Sequence, residues 1–110
     1  MAILLASQAV FSQDAASLYR EGVKLKEQNK VSLAFEKFKQ AVALKPDYPD
    51  AYYEMGWCQN DLAKYPEAMV NLRKARKSMA SIPKVYFELG YAFEKLDMTD
   101  SAINSYNKCL

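Results

Sequence analysis

The chain has 110 residues, of which 51% are hydrophobic and 25% charged, and its net charge is +2; this is one small domain's worth of core-forming sequence and argues against disorder. It has no histidine and only two cysteines, which removes the commonest general base, the histidine-dependent nucleophile pairs, a disulfide framework and a four-ligand zinc site. No apolar run reaches the ~18 residues of a membrane-spanning helix, and the balanced charge gives no footprint for nucleic acid, so the expectation is a non-enzymatic binding module with no cofactor and no metal.

Residues 1–14 open the chain with a stretch, Ala2 to Phe11, that is apolar apart from Ser7 and Gln8. With Val10, Phe11 and Ser12 ahead of Gln13, it fits the tail and cleavage region of an export signal whose positively charged start is missing. That reading implies a bacterial periplasmic or secreted protein. The competing reading is an apolar extension of the first helix in a cytoplasmic protein. From Leu18 the apolar residues take helical spacing at Leu18, Gly22 and Leu25, and a polar break covers Lys26 to Lys30. A second helical pattern runs through Ala34, Phe35, Phe38, Ala41, Val42 and Leu44. Pro46 to Pro49 read as a turn. Asp50 to Glu54 then open a helix with acidic residues at its positive end. Pro66 and Pro83 sit where helices begin and a missing N–H costs little. No window alternates with period two, so strands are not expected.

The three glycines, Gly22, Gly56 and Gly90, are the only ones in the chain and lie 34 residues apart. The same step relates Ala34, Ala68 and Ala102, then Phe38, Leu72 and Tyr106, then Ala41, Ala75 and Cys109, and Leu18, Tyr52 and Tyr86. Glycine inside a helix costs ~1 kcal/mol relative to alanine, so its recurrence in register points to close helix approach, with Phe38 filling the space beside it in the first repeat. In this register the chain resembles the tetratricopeptide repeat, a helix–turn–helix unit of 34 residues. The family favours an aromatic or leucine, then glycine, alanine, an aromatic, alanine and proline. The first repeat supplies Leu18, Gly22, Ala34, Phe38, Ala41 and Pro46. The second supplies Tyr52, Gly56, Ala68, Leu72 and Ala75, with Ala80 in the proline column. The third supplies Tyr86, Gly90, Ala102, Tyr106 and Cys109. The resemblance implies an all-α, right-handed superhelix of stacked antiparallel helix pairs, with an apolar segment at 1–14, repeats at 15–48 and 49–82, and a truncated repeat at 83–110.

The resemblance also implies that the first helix of each pair lines a concave surface. Its groove-facing columns fall here on Tyr19, Tyr53 and Phe87, on Val23, Trp57 and Tyr91, on Arg20, Glu54 and Glu88, and on Lys84. Lys26, Asn60, Asp61, Glu94 and Lys95 fall at outer positions. Exposed aromatic rings on such a surface are interface anchors, so the expected partner is a protein or peptide. The alternative is that the rings pack on their neighbours and the chain is an assembly module, or the N-terminal part of a longer protein. Family members that clamp the carboxylate tail of a chaperone use Lys, Asn, Asn, Lys and Arg where this chain has Tyr19, Val23, Glu54, Lys84 and Glu88. Only Lys84 matches, and two acids would repel a carboxylate. Leu110 is expected inside the last helix, leaving an uncapped apolar face. Residues 3–11 are expected to extend the first helix or to dock on a neighbour's last repeat, giving self-association. Cys58 and Cys109 read as packed thiols, and the run Arg73, Lys74, Arg76 and Lys77 as a solvated face.

Overall fold

The computed structural model describes residues 13–110. The apolar segment up to Ser12, with the export-signal and docking expectations attached to it, lies outside the described residues. Six helices follow: α1 (Ala15–Glu27), α2 (Val31–Leu44), α3 (Pro49–Asp61), α4 (Tyr65–Arg76), α5 (Pro83–Lys95) and α6 (Thr99–Asn107). There is no strand among the described residues. Each helix packs on the next in sequence, and α3 also touches α5. The pairs α1–α2, α3–α4 and α5–α6 therefore stack into the expected superhelix, with α1, α3 and α5 along one side.

Local chemistry sets the helix ends. Asp14 caps α1, its Oδ1 accepting from the Ser17 N–H at 2.7 Å. That bond favours the charged carboxylate and holds Asp14 below its usual range. Pro49, Pro66 and Pro83 occupy the first or second position of α3, α4 and α5. Pro49, expected in the turn, is thus the first residue of α3, where its fixed φ is already helical. Arg73, Lys74 and Arg76 fall in the last turn of α4, where they oppose the negative end of the dipole.

The turn inside each pair is the same structure three times. Asn29, Ala63 and Asp97 all have φ near +60°. At each, the following N–H reaches back five residues, Lys30 to Leu25, Lys64 to Gln59 and Met98 to Phe93, at 2.7–2.8 Å. These are Schellman closures, which need one left-handed residue. Asn and Asp tolerate that conformation, whereas the Cβ of an alanine costs roughly 1–2 kcal/mol there. Ala63→Gly is therefore expected to stabilise the protein by up to about 1 kcal/mol, less the entropy glycine loses on folding, and a denaturant titration reads it.

The glycine columns are contact sites. A Cβ on Gly22 would lie 2.6 Å from Phe38 Cε1, one on Gly56 2.4 Å from Leu72 Cγ, and one on Gly90 2.6 Å from Tyr106 Cδ1. Phe38, Leu72, Leu89, Val85 and Cys58 are the largest fully buried side chains. Burial pushes the Cys58 thiol up to about 12, so it is an inert packed group. Cys109 departs from the expectation of a core thiol, and Leu110 from that of a helical position. Helix α6 ends at Asn107, so Cys109 sits in the turn beyond it, half-buried, with its Sγ 3.4 Å from the Pro83 carbonyl oxygen.

Candidate functional site

Side chains 28 residues apart join the first helices of successive pairs. Between α1 and α3, Lys26 Nζ donates to both carboxylate oxygens of Glu54 at 3.0 Å. The same ammonium stands 4.5 Å from the centroid of the Trp57 ring. Between α3 and α5, Asn60 holds the place that Lys26 holds one repeat earlier. Its Nδ2 donates to Glu88 Oε2 at 2.9 Å and to the Glu88 carbonyl at 3.0 Å. Both partners are acceptors, which fixes the amide orientation and turns Asn60 Oδ1 the other way.

This second junction contains an open pocket of about 200 Å³ lined by Trp57, Asn60 and Asp61 of α3 and by Phe87, Glu88 and Tyr91 of α5. Four of the ten residues expected along the groove, Trp57, Phe87, Glu88 and Tyr91, are brought together here. Phe87 is 53% exposed and Tyr91 half-buried. Tyr65, at the start of α4, sets its ring 6.0 Å from that of Tyr91 at a steep angle. The groove columns carried over from the family missed it, because it lies on the second helix of its pair. Burial raises the Glu88 carboxyl above its usual range, against the lowering influence of the Asn60 hydrogen bond and of Lys26, while Glu54 and Asp61 push it further up.

The other expected groove residues lie elsewhere. Tyr53, expected as a solvent-facing anchor, is 7% exposed. It belongs to the core cluster with Leu72, Val85 and Leu89, because α5 stacks over it, and Lys84 covers its ring at 4.6 Å. Glu54, expected to face a ligand, is 4% exposed and committed to Lys26. Tyr19 and Val23 are half-buried and pack against Phe38, Met55 and Cys58. Burial first, and then Glu54, raise the Tyr19 phenol to about 12. Arg20 is exposed and donates to Ser17 Oγ at 3.1 Å. Lys84 is also exposed.

Family models described as TPR repeat or tetratricopeptide repeat match residues 22–57, 50–78 and 83–110 in turn. The chain is a tetratricopeptide-repeat protein. No curated protein sequence matches it significantly. Among solved structures, the tetratricopeptide-repeat stack is similar to the first TPR of Spaghetti (RPAP3) bound to the HSP90 peptide SRMEEVD, at TM-score 0.84 and 24% identity over 90% of this chain and 79% of that one. It is similar to MamA at TM-score 0.83 and 22% identity over 93% of this chain, and it spans 60% of the MamA chain. The Arabidopsis OM64 TPR domain matches at TM-score 0.84 and 18% identity over 87% of this chain and 79% of that one. At these identities the likeness is one of fold.

Proposed function

We propose that this chain is a non-enzymatic interaction module that binds a peptide or a helix of a partner protein along the side formed by α1, α3 and α5. The observation that carries this reading is the pocket between α3 and α5, where Trp57, Phe87 and Tyr91 present ring surface to solvent around a buried amide and a carboxylate. Rings in that setting gain contact area on binding with little conformational entropy to lose. The Spaghetti repeats bind an acidic peptide in the same fold. Here Glu88 and Asp61 line the pocket, so the ligand differs in charge from that one.

The test is selection of binders from a random peptide library, followed by affinity measurement on variants. Phe87→Ala and Trp57→Ala are each expected to cost about 2 kcal/mol of binding, roughly thirtyfold in Kd. Phe87 is the cleaner probe of the two because its exposed ring contributes little to the fold. Selected peptides that bind both variants as tightly as the parent would overturn the assignment of the surface. Tyr53→Ala is expected to act mainly on stability, since its ring is in the core.

A further inference from the structure

We propose that the pocket between α3 and α5 is a site for a basic side chain, the ammonium of a lysine or the guanidinium of an arginine presented by the bound peptide. This deepens the peptide-binding reading above and rests on it.

The protein supplies the template one repeat earlier. At the α1–α3 junction a carboxylate (Glu54), an aromatic ring (Trp57) and an ammonium (Lys26) form a closed set, with the cation 3.0 Å from the carboxylate and 4.5 Å from the ring centroid. At the α3–α5 junction the equivalent carboxylate is Glu88 and the equivalent ring is Tyr91, but Asn60 stands where the lysine stood. The carboxylate and ring are kept and the cation is gone. Among the described residues Glu88 has no cation within salt-bridge distance. Lys26 is held by Glu54, and Lys95 lies 5.4 Å from the Tyr91 ring centroid without pairing with Glu88.

A second observation points the same way. Asn60 is 4% exposed and lines the pocket, and its Oδ1 is buried without a hydrogen-bond partner. A buried acceptor left unpaired is destabilising. The pocket lining carries acceptors to spare: the Glu88 carboxylate, which accepts from Asn60 Nδ2 at one oxygen only, and the carboxylate of Asp61. A ligand that satisfies them must bring donors. Aromatic rings beside those carboxylates favour a donor that carries positive charge. A lysine or arginine head does both.

Small probes test this without a known partner. Nα-acetyl-arginine amide and Nα-acetyl-lysine amide are titrated into the full chain, with the glutamine and glutamate analogues as controls. The readouts are the fluorescence of Trp57, the only tryptophan, and the amide shifts of α3 and α5. The basic probes are expected to saturate with millimolar Kd and the controls to bind at least about tenfold more weakly. Glu88→Gln is expected to weaken the basic probes about tenfold. Asn60→Lys is expected to abolish their binding by closing the set internally, as Lys26 does. Glu36→Gln removes the same charge from the exposed side of α2 and is expected to leave binding unchanged.

Glu88→Gln should remain folded. Because the native carboxyl is raised above its unfolded value, its contribution to stability is present at low pH and is lost as pH rises through the raised value. Neutralising it therefore removes a cost at neutral pH, and a thermal melt checks that the variant is no less stable. No saturable response to the arginine and lysine probes, an equal response to the glutamine probe, or unchanged binding by Glu88→Gln would each overturn the site. If library peptides depend on Phe87 but carry no enriched lysine or arginine, the groove stands and the basic-side-chain site falls. If the basic probes bind as described and no peptide is selected, the pocket chemistry stands and the peptide reading falls.

Discussion

Gly56→Ala is expected to destabilise the protein by about 1–2 kcal/mol, although alanine is the better helix former. The new methyl would lie 2.4 Å from Leu72 Cγ and 2.7 Å from one of its Cδ atoms. Cγ is the branch point of a fully buried side chain, so the clash is not relieved by swinging a flexible end aside. Overpacking of this kind costs ~1–3 kcal/mol, and the gain in helix propensity returns ~1 kcal/mol at most. For a chain of this size the net loss lowers Tm by roughly 5–15 °C. Gly56→Leu is expected to cost more than about 3 kcal/mol or to prevent folding, and Lys64→Ala, exposed at the start of α4, to change Tm little.

The glycines should rank by what faces them. At Gly90 the neighbour is Tyr106, whose ring is half-buried and tied at its edge to Glu94 by a 2.8 Å hydrogen bond. Gly90→Ala is therefore expected to be milder than Gly56→Ala or Gly22→Ala, since Phe38 opposite Gly22 is fully buried. A double-mutant cycle isolates the cause. In a Leu72→Ala background the clash is gone, and Gly56→Ala is expected to become neutral or stabilising. If Gly56→Ala costs the same in both backgrounds, close approach of α3 and α4 is not why glycine stands there.

The fold was legible because the columns that repeat are the ones that touch. Gly22 meets Phe38, Gly56 meets Leu72 and Gly90 meets Tyr106, and each pair lies within one helical hairpin, so a single spacing reveals all three. The left-handed column at Asn29, Ala63 and Asp97 was as regular in structure but invisible in sequence, because Ala63 carries no sign of the conformation it adopts. The candidate site was legible only in outline. The family resemblance placed Trp57, Phe87, Glu88 and Tyr91 along one groove. It did not tell them from Tyr53 and Glu54, because coverage depends on the following repeat: Val85 and Leu89 of α5 join Tyr53 in one core cluster, while Lys26 reaches across from α1 to Glu54. Nor does the column Lys26, Asn60, Glu94 repeat in chemistry. Columns that recur specify the backbone arrangement, and columns that vary decide which junction is closed by its own ion pair and which is left with unmatched acceptors.

Lys26→Met is expected to cost about 3 kcal/mol, far more than loss of an exposed ion pair. The Glu54 side chain is 6% exposed and that of Lys26 23%, so removing the ammonium leaves a carboxylate in a nearly dry site with Trp57 and Cys58 around it. Stranding one member of a buried pair costs ~3–5 kcal/mol, and the partial exposure of Lys26 places this case at the low end. Methionine keeps the apolar stem and a favourable sulfur–aromatic contact with Trp57, so the loss reports the charge rather than a cavity. Replacing both partners, Lys26→Met with Glu54→Leu, is expected to recover most of the stability, because the desolvation cost of both charges goes with the pair. Lys37→Met supplies the exposed reference: its 3.6 Å contact with Glu21 has both side chains at least one-third exposed, and its loss is expected to cost under ~1 kcal/mol and to fade in roughly 1 M salt. Urea titrations at low and high salt measure all four proteins. If Lys26→Met costs no more than Lys37→Met, Glu54 does not depend on its cation. The comparison that marks Glu88 as a carboxylate awaiting one would then lose its foundation.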